Sequence, residues 1–135
     1  MINPTPSKPL STQQPDPTSI LHMPPLDEIR ELTDGSHELF AQLLQNYLLN
    51  TDLLVAQLPA ATVHQDAATA RAAAHDIKSM SAMFGAMELS DLARDLEQMC
   101  MGQDLSGMAD LTPRIQTEFE RISVAITYLI DTPNI

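Results

Sequence analysis

Beyond residue 25 the chain contains only three prolines, Pro59, Pro113 and Pro133, and four glycines, Gly35, Gly85, Gly102 and Gly107. These residues break helices, so their spacing bounds every helix the chain can form. Between them run long stretches of Ala, Leu, Met, Gln and Glu, all good helix formers. Few residues alternate with period two, so strands are not expected. A short helix fits 26–32. A second fits 36–58, capped by Asp34 or Ser36, with Pro59 near its end. Its apolar residues Leu39, Phe40, Leu43, Leu44, Tyr47, Leu48, Leu54, Val55 and Leu58 are expected to share one buried face. A third helix is expected over 66–84 and stops near Gly85. A fourth, over 88–101, carries Leu89, Leu92, Ala93, Leu96, Met99 and Cys100 on one stripe. A fifth, over 112–130, places Thr112 as its cap and Pro113 in its first turn, ahead of Ile115, Phe119, Ile122, Ile126 and Leu129. Short connections make neighbours antiparallel. The expected fold is all-α: an up-down-up-down four-helix bundle with a short additional N-terminal helix, over 26–131.

The first 25 residues differ sharply. They hold seven of the chain's ten prolines, spaced by Ser, Thr and Gln. Such a stretch reads as a flexible or polyproline-like linker, either a tether or a frayed terminus. Residues 132–135 read as a short tail. The methionines cluster too, with six of eight between Met80 and Met108, and read as core filler.

Composition narrows the function. The formal charge is −11, which argues against nucleic acid or an anionic membrane as partner. No run of eighteen apolar residues exists, so no membrane span is expected. The start has no apolar signal region, and the single Cys100 cannot form an internal disulfide, so a cytoplasmic setting is expected. A monomer is the default.

The third helix carries the chemistry. On a wheel centred on His75, the residues within about 60° are Ala68, Arg71, Ala72, Lys78, Ser79 and Ala82. The opposite side holds Ala70, Ala73, Ile77, Met80 and Phe84 and should face the core. His75 therefore points outward, ringed by small side chains that leave its edge open to a large partner. Arg71, Lys78 and Asp76 give 67–87 a charge of +1, against −12 for the rest of the chain. A locally basic spot beside an accessible imidazole suits a site that visits a more anionic state, such as phosphoryl on nitrogen. Arg71 and Lys78, four residues before and three after His75, lie within reach of it.

The run from His75 through Ile77, Lys78, Ser79, Phe84, Gly85, Ala86 and Leu89, then Leu92-Ala93 and Leu96-Glu97, resembles the histidine-containing phosphotransfer (HPt) domain of two-component phosphorelays. The family pattern is a histidine, an aliphatic at +2, a lysine at +3, a small residue at +4, and Gly-Ala or similar at +10 and +11. Ser79 stands where the family often has glycine. The resemblance implies a four-helix bundle with no kinase or ATP site, and His75 as the phosphoacceptor. Phosphoryl would arrive from the aspartate of one receiver domain and leave to another. It implies that Lys78 lies near the phosphoryl group. Glu97 matches a position on the next helix that hydrogen-bonds the active histidine in relatives. Residues 75 and 97 are each eleven from Ala86, as a helical hairpin requires. Arg71 joins Lys78 and Glu97 as phosphoryl support, and Ala68, Ala72, Ser79 and Ala82 form the docking surface. The expected partners are response-regulator receiver domains, with a hybrid sensor kinase as a possible source. No cofactor is expected on this chain, and Mg²⁺ belongs to the receiver.

Other functions fit less well. The four histidines include no His-x-x-x-His or Glu-x-x-His pair to begin a metal site. No Gly-x-Ser-x-Gly or glycine-rich phosphate loop supports a hydrolase or nucleotide enzyme. The alternative is a helical adaptor that binds a signalling partner through the same face without chemistry.

Overall fold

The computed structural model describes residues 17–133. Seven helices follow in order: α1 (Pro17–Ile20), α2 (Met23–Leu32), α3 (His37–Ala56), α4 (Leu58–Val63), α5 (Ala67–Met83), α6 (Met87–Gly102) and α7 (Met108–Asp131). The long helices α3, α5, α6 and α7 pack α3 on α5, α5 on α6, α6 on α7 and α7 on α3, closing an antiparallel four-helix bundle. Among the described residues there is no strand.

Local chemistry accounts for the boundaries. Ser36 caps α3 by accepting from the Leu39 amide, and Asp66 caps α5 by accepting from Thr69. Both were legible as helix starts. Phe84 closes α5, and Gly85 turns the chain at φ +82°. A left-handed residue there needs no Cβ, and this one has a second reason to lack it. A Cβ on Gly85 would collide with the His22 carbonyl, because the His22 amide donates to the Gly85 carbonyl at 2.8 Å. The N-terminal segment is thus hooked onto the α5–α6 turn.

That hook corrects the expected linker boundary. Helix extends N-terminal to residue 26, with Pro24 and Pro25 in the first turn of α2. Proline is tolerated there because the first amides of a helix have no intrahelical acceptor. Ile20 and Leu21 are buried, and α1 packs on α7. Of the linker expected over 1–25, residues 1–16 lie outside the described residues, as do 134 and 135 of the expected tail.

Three further differences have physical causes. The expected helix 36–58 ends at Ala56, and a separate short helix, α4, follows and packs on α5 and α7. Pro59 sits in the first turn of α4, so it starts a helix instead of closing one. Helix α7 begins at Met108, one turn before Thr112, and keeps Pro113 inside. Met108 and Leu111 are buried, so packing of that extra turn outweighs the amide that Pro113 lacks. Core filling by methionine holds for Met108, but Met83 and Met101 are exposed.

The core is continuous through the bundle, with Phe40, Leu44, Ile77, Leu89, Leu96, Ile115, Ile122 and Ile126 nearly inaccessible. On α3 the buried set is Phe40, Leu44, Tyr47, Thr51 and Val55, whereas Leu39 and Leu43 are exposed. The bundle covers only one side of α3, narrower than its leucine content. The α5–α6 contact is the most extensive in the bundle. Ala70, Ala73, Ala74, Ala86 and Ala93 are buried, and small side chains allow close helix approach. Tyr47 of α3 stacks on Phe84 with ring centroids 4.8 Å apart and hydrogen-bonds Ser81 of α5 at 2.7 Å. Burial pushes the Tyr47 phenol up to about 12, so it stays a neutral pin between α3 and α5.

Candidate functional site

The core side of α5 is fixed by Ala70, Ala73, Ala74, Ile77 and Ser81, all buried. That leaves His75 outward, its side chain 58% exposed. Lys78 lies one turn along and is partly exposed. Across the hairpin, Glu97 of α6 is buried between them. Its Oε2 lies 2.8 Å from His75 Nδ1, and its Oε1 accepts from Lys78 Nζ at 2.6 Å. One carboxylate therefore engages both residues, and the close α5–α6 approach makes this possible.

The electrostatics fix the proton. The Lys78 ammonium, and then His75, hold the Glu97 carboxyl below the usual carboxylate range, against the opposing effect of its burial. Glu97 is ionised at neutral pH and can only accept hydrogen bonds. His75 Nδ1 must then carry the hydrogen. In the neutral ring the lone pair is on Nε2. A histidine so held has a defined tautomer, with its free lone pair on the nitrogen away from the carboxylate.

The remaining expected residues divide. Arg71, Ala68 and Ala72 line a shallow depression of about 480 Å³ with His75, Asp76 and Glu97. Arg71 is exposed, and among the described residues it pairs with no carboxylate. Ser79 is exposed and Ala82 half-buried; neither lines that depression. The Ser79 hydroxyl donates back to the His75 carbonyl at 3.2 Å. One supporting residue escaped the sequence reading. Ser90 of α6, buried, donates to the Lys78 carbonyl at 2.8 Å and pins the two helices together beside the site. A groove of about 660 Å³ between α6 and α7 includes Glu88, Leu92 and Glu118 and lies on the other side of α6 from Glu97. Among the described residues no group of three or more His, Cys, Asp or Glu could hold a metal ion. No helix among them is long and apolar enough to cross a membrane.

The family model of the Hpt domain matches residues 28–125. The chain belongs to the Hpt family. The Hpt match takes in the whole of α3, α5 and α6 and most of α7. A solved structure, histidine-containing phosphotransfer protein B (HptB) from Pseudomonas aeruginosa PAO1, superposes with a TM-score of 0.77 at 22% identity, covering 83% of this chain and 95% of that one. At that identity the likeness speaks to the fold, and it agrees with the bundle described above. No curated protein matches the chain in sequence. As an Hpt domain, the chain is a histidine phosphotransfer module of a phosphorelay, a class that exchanges phosphoryl with receiver domains.

Proposed function

We propose that His75 is the phosphoacceptor and that Nε2 is the reacting atom. The observation that carries this reading is the 2.8 Å contact of Nδ1 with the ionised Glu97 beneath an otherwise exposed ring. The Nε2 lone pair attacks the phosphorus of a receiver's aspartyl phosphate. As the N–P bond forms, the P–O bond to the aspartate breaks and the carboxylate leaves with the electron pair. The imidazole ring, still protonated on Nδ1, takes up positive charge facing the Glu97 carboxylate. The reverse step delivers the phosphoryl group to a second receiver. Transfer of this kind depends mainly on positioning and charge stabilisation.

Lys78 and Arg71 flank the ring and steady the phosphoryl oxygens. Lys78 does so while Glu97 holds its ammonium in place. Ala68, Ala72, Ser79 and Ala82 form the low-relief surface on which the receiver's acidic pocket docks. Mg²⁺ sits on the receiver, whose chemistry requires it to neutralise the aspartyl phosphate. The donor is the receiver of a hybrid sensor kinase, and the exchange takes place in the cytoplasm.

The test is transfer from receivers charged with acetyl phosphate. Wild-type chain is expected to take up label that survives alkali and is lost in acid, as phosphohistidine is. His75→Gln is expected to take up none while keeping its helical circular dichroism. Labelling of that variant at the wild-type level would refute the site. Stable receiver binding without any transfer to the wild type would leave an adaptor.

A further inference from the structure

The bundle leaves one side of α3 uncovered. Leu39, Leu49 and Leu53 are 50%, 65% and 65% exposed. Together with Gln42, Asn46 and Ala56, also exposed, they fall into a 3-4 spacing along the helix: Leu39, Asn46 and Leu53 at one position of a heptad, and Gln42, Leu49 and Ala56 at the other. That is the spacing of a two-stranded coiled-coil seam, here on the outside of a folded domain. Three exposed leucines on one face of a single helix are apolar surface that a partner would cover.

Charge indicates what covers it. The chain carries −11, yet the 20 residues of α3 contain only two acids, Glu38 and Asp52, and no Lys or Arg. Neither acid lies in the seam. Two copies of so acidic a chain repel over most of their surface and meet at least cost along a nearly neutral strip. We propose that α3 is the homodimer interface, with two copies of α3 packed parallel and in register about a two-fold axis.

The two amides set the direction. In a parallel pair each seam residue meets itself, so Asn46 faces Asn46 of the second copy and Gln42 faces Gln42. Each amide then has a donor and an acceptor opposite. Fully overlapped antiparallel helices would set Asn46 against Leu49 and Gln42 against Leu53, leaving amides buried against leucine. Flanking contacts agree with the parallel arrangement: Glu38 falls beside Leu43 and Asp52 beside Gln57 of the second copy, so no acid faces an acid. The helix is already folded on its bundle, and a seam of under three heptads can associate without an ordering cost.

Sedimentation equilibrium of the full chain tests this. Over about 5 to 500 µM, the mass should rise from 14.8 kDa toward twice that value. Leu49→Glu with Leu53→Glu should stay monomeric, with unchanged circular dichroism and unchanged phosphoryl uptake. Asn46→Leu should tighten association at least about tenfold, since a polar seam residue costs stability. Leu39→Cys should cross-link between copies under mild oxidation, which only a parallel register permits. A mass fixed at 14.8 kDa throughout overturns the proposal, as does a dimer indifferent to the two glutamates. A dimer that Leu39→Cys fails to cross-link overturns the parallel register. If the double variant loses phosphoryl uptake and the wild type is monomeric, the face belongs to a receiver and the proposal fails. His75→Gln should dimerise as the wild type does, which separates this test from that of the phosphoacceptor.

Discussion

Replacing Glu97 by Gln removes one charge from the site while keeping the shape of the side chain. The wild-type carboxylate contacts His75 at 2.8 Å and Lys78 at 2.6 Å, with its own side chain 11% exposed. Two opposite unit charges about 4 Å apart interact by about 4 kcal/mol at an effective dielectric of 20. Solvent screens the exposed imidazole, so a stabilisation of about 1–2 kcal/mol for the cationic ring is the reasonable remainder. On the neutral ring that attacks, positive charge appears as the N–P bond forms, so this stabilisation acts on the transition state and product. Phosphoryl acceptance by Glu97→Gln should therefore slow about 5- to 30-fold. Gln can also turn its amide nitrogen toward His75, which favours the other tautomer and slows the reaction further. The assay is single-turnover transfer from a labelled receiver at saturating receiver concentration, so that docking does not enter the rate. Wild-type speed in this variant would refute the assignment of Glu97 as the countercharge.

Other consequences follow from the same geometry. Lys78→Ala should slow transfer and shorten the life of the phosphorylated form, read by loss of label. It should cost at most about 1 kcal/mol of folding stability because the ammonium is partly exposed. Gly35 and Gly85 both adopt positive φ, at +73° and +82°, but only Gly85 has backbone against the position of a Cβ. Gly35→Ala should cost about 1–2 kcal/mol for the left-handed conformation, and Gly85→Ala about 1 kcal/mol or more beyond that for the displaced His22 contact; equal urea midpoints for the two variants would contradict the hook. The depressed Glu97 carboxyl binds a proton more readily when unfolded, so its contribution is complete above the ordinary carboxylate range, near pH 4.3, and is lost as pH falls through its lower folded value. The stability gap between wild type and Glu97→Gln should accordingly be constant near neutrality and narrow in acid, measured by urea unfolding at several pH values.

Much of this was written in local signals. Ser36 and Asp66 announced their helices, and Gly85 announced the turn, because caps and left-handed turns are decided by a few adjacent atoms. The outward placement of His75 followed from the alanines and Ile77 opposite it, and the meeting of His75 with Glu97 from the family resemblance, with which hairpin symmetry agrees. Misreadings came where tertiary packing overrode local preference. Prolines at 24 and 25 suggested a linker, yet two buried residues before them, Ile20 and Leu21, draw the segment onto the bundle. Pro113 suggested a helix start, yet buried Met108 and Leu111 extend α7 past it. Leu39 and Leu43 read as core because periodicity shows which residues share a face and not how wide a face the neighbours cover. Ser90 was silent, since a hydroxyl reaching a backbone carbonyl leaves no trace in spacing.

The attachment of His22 to Gly85 bears on how this domain is cut for study. The family match runs over 28–125, and a fragment trimmed to those limits would discard Ile20, Leu21 and Leu26 at one end and Ile126 and Leu129 at the other, all buried. It would also leave the carbonyl of Gly85 without its donor, at the bend that sets the spacing between the histidine and its carboxylate. Loss of transfer in such a fragment would report a loosened hinge, even with every residue around His75 intact.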